Sequence, residues 1–157
     1  MLLVVVTLAT SPTPAQRRQL ISDVLNVEPS KIVCVDLIPH TYGLLVETPV
    51  RVKDDAELTR IASALRRAKP FHPNHPGAAW LVDVQMTTTR GQVSFVVSHT
   101  DQPENGTFFT IYSRKSDGWV VGRFRCDELA EILESLVEVR KRDKEKGRKW
   151  GQAGVRD

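Results

Sequence analysis

The chain has 157 residues, with 41% hydrophobic and 26% charged side chains and a net charge of +3. This composition is ordinary for one globular domain with a single core, and it excludes a chain too polar to bury one. The charge is uneven, because residues 138–157 hold eight Lys or Arg and four Asp or Glu, while the rest of the chain carries −1. We therefore predict a folded domain over residues 16–139 and a basic, disordered tail over residues 140–157.

The N-terminal residues 1–15 begin with the apolar run MLLVVVTLA, which has two interpretations. A Val-rich run of this kind is typical of a buried β-strand. The small residues before Gln16 instead resemble the cleavage site of a secretory signal, although no Lys or Arg precedes the run. The boundary rich in Pro, Ser and Ala favours export, to a periplasm or to the outside, over a cytoplasmic location. The run is shorter than the ~20 apolar residues that span a membrane, so we expect no transmembrane segment.

Two helices are predicted from capping residues and apolar periodicity. Residues 13–16, TPAQ, match a capping box with proline at the first helical position, at the start of a helix over residues 14–27. Residues 54–57, DDAE, contain a capping pair, Asp54 and Glu57, with the same spacing. This pair lies at the start of a second helix, which Pro70 ends.

Strand patterns fill the rest of the domain. Residues 31–38 and 44–53 are predicted strands, and Pro49 places the second at a sheet edge or a bulge. Residues 79–126 predict four strands with short connections, which is typical of an antiparallel meander. Asp-Gly within residues 115–118 is a strong signal for the last hairpin turn.

The last strand and the helix after it define the two faces of the sheet. The strand over residues 119–126 alternates between an apolar set and a basic set: Val120, Phe124 and Cys126 against Arg123 and Arg125. Asp127 is expected to cap a third helix, which packs back onto the apolar face. The predicted fold is therefore α+β, with two layers: a mainly antiparallel sheet of five to six strands and two to three helices on one face.

Cys34 and Cys126 both lie in predicted strands. In an oxidising compartment they form a disulfide if their Cα atoms lie within ~7 Å of each other. The alternative is two separate buried thiols. Asn105-Gly106-Thr107 likewise has two interpretations, a glycosylation sequon and a turn.

Three histidines form the candidate metal or hydrolytic set: His72 and His75 in the segment HPNHP, and His99 at a strand end. Two histidines three residues apart can converge on zinc, but a site needs three or four ligands. Prolines at every third position equally explain the segment as a stiff connector. His99 has hydroxyls and a carboxylate near it in sequence, which suits either a general base or a hydrogen-bonded structural histidine. The sequence has no phosphate loop, nucleophile elbow or redox motif, so no cofactor is predicted and enzymatic activity is not favoured.

The basic face of the sheet is the candidate binding surface. Its predicted residues are Tyr112, Arg114, Arg123 and Arg125, joined by Thr110, and by Asp83 and Gln85 if the strand phases align. Tyr and Arg are enriched at protein interfaces, which predicts a non-catalytic binding or interaction module for a protein or an extended ligand. Polyanion binding by the basic tail is the alternative. The acids interleaved in that tail weaken it, and nucleic acid is not an expected partner.

Overall fold

The structure is a computed structural model, and it describes residues 11–74, 77–113 and 118–138. Three predicted features lie outside these residues: the N-terminal strand or signal segment, the Asp-Gly turn and the basic tail. His75 and Arg114 of the candidate sites also lie outside them.

Three α-helices are described: α1 at Pro14–Leu25, α2 at Asp55–Arg67 and α3 over residues 127–138. The capping box of α1 is present, with the Gln16 amide donating to Thr13 Oγ1 at 3.2 Å and the Thr13 amide donating to Gln16 Oε1 at 2.8 Å. At α2, the Glu57 amide donates to Asp54 Oδ1 at 3.0 Å. Both helices therefore begin where the sequence predicts, because these bonds satisfy N–H groups that the first turn leaves unpaired. No described helix is long and apolar enough to cross a membrane.

Seven strands in the described part of the chain form one antiparallel sheet, against the five to six predicted. Their bounds are β1 Ile32–Pro39, β2 Val50–Val52, β3 Lys69–Pro70, β4 Trp80–Thr88, β5 Gly91–His99, β6 Thr107–Tyr112 and β7 Val120–Arg125. Their order across the sheet is β2-β1-β4-β5-β6-β7-β3, so β4 to β7 are the predicted meander. The core joins the helices to one face of this sheet, which confirms the two-layer α+β class.

The two outermost strands account for the difference in strand number and length. The prediction of one strand over residues 44–53 is wrong in extent, because only Val50–Val52 pairs with β1. The chain just before it bonds to β4 instead, with the Leu81 amide donating to Gly43 O at 3.0 Å. On the other side, Lys69–Pro70 leaves α2 and pairs with β7 as a short strand that the sequence pattern does not predict.

A bulge between β6 and β7 reverses the predicted orientation of Val120. Ile111 pairs with Gly122 and Tyr112 pairs with Val120, so Val121 is an extra residue on β7. Val120 is 38% exposed, whereas Val121 packs partly against the core. The prediction that Val120 points inward is therefore wrong.

The core lies between the sheet and the helices. Phe109 is fully buried, and its ring centroid lies 5.3 Å from that of Phe95 and 5.6 Å from that of Phe124. Gly122 lets α1 approach β7, because a Cβ at this position would lie 2.8 Å from the Phe124 ring and 3.5 Å from the Ile21 side chain. The core thus joins three strands of the meander to α1.

Both cysteines are buried and free. Cys34 is on β1 and Cys126 follows β7, four strand positions away, which corresponds to about 19 Å. The Cys126 thiol donates to Ala64 O at 3.3 Å, and burial raises the pKa of this thiol. The interpretation as two separate buried thiols is therefore confirmed.

Candidate binding face

The face of the sheet opposite the helices is the candidate site, and we name it the open face. One row of paired residues crosses it from β1 to β7, and we name it the transverse row: Ile38, Asp83, Val96, Thr110 and Arg123. The described helices pack with the alternate residues of these strands, on the other face. Asp83, Thr110 and Arg123 therefore share one face, because successive residues of a strand point to opposite sides.

The transverse row is buried in the middle and charged near its ends. Val96 and Thr110 are only 5% and 4% exposed, although no described helix covers them. Three strand spacings separate Asp83 from Arg123, a distance of about 14 Å. The row thus has an acid towards one end and a base at the other.

Asp83 lines a cavity of about 170 Å³ in the open face. The other side chains around this cavity include Ile38, Gln85, Ser94, Val96 and Tyr112. Burial raises the pKa of the Asp83 carboxyl, and the charge of His40 partly offsets this. Within residues 11–74, 77–113 and 118–138, no hydrogen bond or ion pair reaches this carboxylate. The cavity therefore presents a half-buried acid that has no hydrogen bond or ion pair among the described residues, with His40 acting on it only at longer range.

Asp36, on the neighbouring strand β1, is in the opposite situation. Arg51 donates to its two carboxylate oxygens at 2.6 and 2.9 Å, and the two residues are directly paired between β1 and β2. Such a two-point contact satisfies both the charge and the geometry of the carboxylate. Asp83, by contrast, has no hydrogen bond to its carboxylate among the described residues.

An apolar and aromatic rim borders the cavity on the β7 side. Tyr112 lines the cavity, and Val120, which the bulge turns outward, is its partner on β7. Val120 is 38% exposed. Aromatic side chains of this kind supply a large share of the binding energy at protein interfaces. Val120, which the sequence predicts to point inward, therefore adds to the apolar surface of the candidate site.

Arg125, from the predicted binding set, is bound within the protein. It donates to Asp127 Oδ2 at 2.9 Å and, at 2.8 and 3.2 Å, to two carbonyl oxygens of the loop over residues 100–106. Its guanidinium also lies 5.7 Å from the centre of the Phe71 ring. Arg125 thus holds the loop and Phe71 in place. Arg123 is exposed, and its side chain has no hydrogen bond or ion pair in the part of the chain that the structure describes.

The histidine set has one well-placed member in the described residues. His99 Nδ1 lies 2.8 Å from Thr107 Oγ1, and its ring stacks on Trp80 with centroids 5.2 Å apart. His72 is exposed. No group of three or more His, Cys, Asp or Glu in the described ranges is arranged to hold a metal, and His75 lies outside those ranges. The contacts of His99 are those of a hydrogen-bonded structural histidine.

The sequon asparagine is part of the loop structure. Asn105 is 2% exposed, and its side-chain amide donates to Gln102 Oε1 at 2.7 Å. Its Oδ1 accepts the Asn74 amide hydrogen at 3.2 Å. These contacts join two loops at the end of the sheet, which favours the turn interpretation.

Two further cavities are lined by polar groups that largely bond to neighbouring groups of the protein. A cleft of about 290 Å³ lies between α1 and the β4–β5 hairpin. Its polar groups bond to one another, as in the pairs Lys31–Glu28 at 2.6 Å, Gln19–Asp23 at 2.7 Å and Asn26–Ser22 at 3.3 Å. A wider groove of about 670 Å³ lies between β2, the start of α2 and residues 135–136, and its two acids cap α2 or pair with Arg60. The Asp83 cavity differs from both, because its carboxylate has no hydrogen bond or ion pair among the described residues.

Sequence reasoning placed Asp83, Gln85 and Tyr112 on this face but missed Ile38, Ser94 and Val96. The signal that could have identified Ser94 and Val96 is the second set of alternate residues in β5. Ser94, Val96 and Ser98 alternate with the apolar residues that were assigned to the core, and they had no assigned environment. Their contribution depends on the register between β4 and β5, which the sequence pattern leaves open.

Comparisons with protein-family models, with curated proteins and with solved structures found no match to this chain. The function is therefore argued from the geometry of the open face.

Proposed function

We propose that this chain is a non-catalytic binding module that holds a protein partner on the open face of its sheet. The observation that supports this most is the pair of charged side chains, Asp83 and Arg123, on the transverse row. These two side chains carry opposite charges, and neither has a hydrogen bond or ion pair among the described residues. Complementary charges on a partner gain from such a surface in specificity and in the rate of association.

The surroundings of the transverse row support the same function. Tyr112 and Val120 supply an apolar rim, and burying such groups gives the affinity that charges alone do not. The floor is a hydrogen-bonded sheet, and Arg125 fixes the adjoining loop. A rigid surface loses little conformational entropy on binding, so more of the contact energy appears as affinity.

Capture of partners from native extract tests this function with charge-matched variants. Arg123→Glu reverses the charge at one end of the transverse row, and Tyr112→Ala removes the aromatic part of the rim. Arg18→Glu, on the exposed side of α1, makes the same charge change away from the open face. We expect a protein that the wild-type chain and Arg18→Glu both retain, and that Arg123→Glu and Tyr112→Ala lose at least about tenfold.

The extract should include exported as well as cytoplasmic fractions, since the N-terminal sequence favours export without deciding it. Circular dichroism of each variant establishes that it remains folded. Retention of the same proteins by all four chains would argue against binding through the open face.

A further inference from the structure

We propose that the partner presents an acidic segment, and that Lys69 and Arg123 bind its carboxylates at the β3–β7 side of the open face. This inference rests on the proposed function and names the chemistry of the partner. It starts from two exposed cations on adjacent strands, neither of which has a hydrogen bond or ion pair within the described ranges.

Strand pairing places these two cations on the same face of the sheet. Lys69 pairs directly with Arg125, and Arg123 lies two positions before Arg125 on β7, so all three share the open face. The Phe71 amide donates to Arg123 O at 2.9 Å, which continues this pairing just beyond β3. Lys69 and Arg123 are therefore diagonal neighbours, about 7–8 Å apart. Both side chains are long enough to reach one carboxylate, or two adjacent ones, from this spacing.

The acids nearest to the two cations in sequence are engaged by other arginines. Asp127 accepts a hydrogen bond from Arg125 at 2.9 Å, and Glu128 accepts one from Arg67 at 2.7 Å. No ion pair in the described part of the chain includes Lys69 or Arg123. Like charges on neighbouring strands repel each other, so a carboxylate from a ligand would relieve this repulsion as well as bind.

The apolar rim lies beside the same cations. Val120 is three positions before Arg123 on β7, and its partner Tyr112 is the last residue of β6. A segment that combines acidic and apolar residues therefore fits both parts of this surface. Its carboxylates bind the cations, and its apolar side chains cover the rim.

The opposite side of the open face disfavours nucleic acid and anionic membranes as partners. Both present phosphates over a wide area and bind through many basic contacts at once. Asp83 lies on the same face, three strands from Arg123, and would repel phosphates there. Two cations on a face that also carries an acid therefore favour a short acidic segment of a protein.

Three blocked nine-residue peptides test this chemistry. Each contains two leucines and two adjacent variable positions, with serine elsewhere. The variable positions hold two glutamates, two glutamines or two phosphoserines. Titration of each peptide into the ¹⁵N-labelled full chain, followed by amide chemical shifts, gives the affinity and the location of binding.

We expect the glutamate peptide to shift the amides of Lys69, Phe71 and Arg123 and to bind at least about fivefold more tightly than the glutamine peptide. Lys69→Gln and Arg123→Gln should each weaken this binding about threefold or more. Lys53→Gln and Arg18→Gln remove an exposed lysine and an exposed arginine elsewhere and should leave it unchanged. Unshifted amides away from β3 and β7 establish that each variant remains folded.

Equal affinities for the glutamate and glutamine peptides, or unchanged binding by Lys69→Gln, would overturn the inference. Binding of the phosphoserine peptide more than about tenfold more tightly than the glutamate peptide would also overturn it, because phosphorylated segments would then be the partners. A dimer in sedimentation that both Lys69→Gln and Arg123→Gln abolish would instead make a second copy of the chain the occupant.

The capture experiment separates this inference from the proposed function. If the peptides fail while capture still depends on Arg123 and Tyr112, the module function stands and only the ligand chemistry is wrong. If capture fails as well, both proposals are wrong.

Discussion

Asp83 is partly buried and has no hydrogen bond or ion pair among the described residues, and this links its chemistry to the stability of the protein. Burial raises the pKa of its carboxyl in the folded chain. In the unfolded chain the pKa is that of an ordinary Asp, about 3.9. The folded chain therefore binds this proton more tightly. Asp83 lowers stability progressively as the pH rises from about 4 through the folded pKa, and the loss is complete above that pKa.

Asp83→Asn should therefore raise the melting temperature at pH 7, by about 1 to 3 °C, because the asparagine side chain carries no charge to desolvate. At pH 3.5 the wild-type carboxyl is protonated too, so the variant and the wild-type chain should melt at nearly the same temperature. Thermal unfolding followed by circular dichroism at both pH values measures this, with Glu131→Gln as the charge-matched control. A lower melting temperature for Asp83→Asn at pH 7 would mean that the charged carboxylate stabilises the fold.

A charge that lowers stability is expected at a binding position and not at a structural one. Binding sites often keep groups that are unfavourable in the free protein and become satisfied by the ligand. The contrast with Asp36, whose carboxylate is fully engaged by Arg51, shows that the same sheet face also carries a structurally satisfied acid.

The junction of β6, β7 and α3 depends on one carboxylate and one glycine. Asp127, predicted as a helix cap, accepts the Thr107 amide hydrogen at 2.8 Å and the Arg125 Nε hydrogen at 2.9 Å. Gly106 precedes Thr107 with φ of 54°, in the left-handed region. A Cβ at this position would overlap the Asp127 carboxylate and lie 2.9 Å from Arg125 Nη2.

Gly106→Ala should therefore destabilise the protein by about 2 kcal/mol or more, from the left-handed backbone and the displaced carboxylate together. Urea unfolding measures the change in the free energy of unfolding. Gly77→Ala is the matched control, because a Cβ there meets no described atom within 4 Å, and it should change stability by less than about 0.5 kcal/mol. Equal effects of the two substitutions would show that the contacts of Gly106 are not the cause.

Helices and strands that depend on signals within a few residues were predicted from the sequence. Those that depend on pairing with a distant part of the chain were not. The capping residues of α1 and α2 and the short loops of the meander act within a few positions, so their patterns are readable. Strand β3 is defined by the pairing of Lys69 with Arg125 on β7, and no sequence pattern near residue 69 indicates this pairing. The engagement of Arg125 likewise depends on the fold of a loop some 20 residues away in sequence. The faces of the candidate site were predicted where strand alternation is regular, and Val120 was wrong because a bulge interrupts it.

The stability of the whole molecule depends on the aromatic centre of the core. Phe109 contacts Phe95 and Phe124 from the middle strand of three, beneath the helices. Phe109→Ala should lower the free energy of unfolding by about 3–5 kcal/mol, a large part of the roughly 5–15 kcal/mol typical of a domain. Phe71→Ala, which truncates a half-buried ring on the open face, should lower it by less than half as much. Urea denaturation of both variants measures the difference, and equal losses would contradict a core confined to the helix side.

The two edges of the sheet limit how a second chain can pair with it. Among the described residues, the outermost strands are Val50–Val52 and Lys69–Pro70, three and two residues long, and each has a proline within it or directly before it. Short strands with proline and basic side chains are poor templates for adding another strand, since few unpaired N–H and C=O groups lie in line. Fibril-like stacking and partner binding by strand addition are therefore both disfavoured at these edges. The binding that we propose would therefore depend on side-chain recognition across the sheet, where the partner's sequence and not its backbone decides whether it binds.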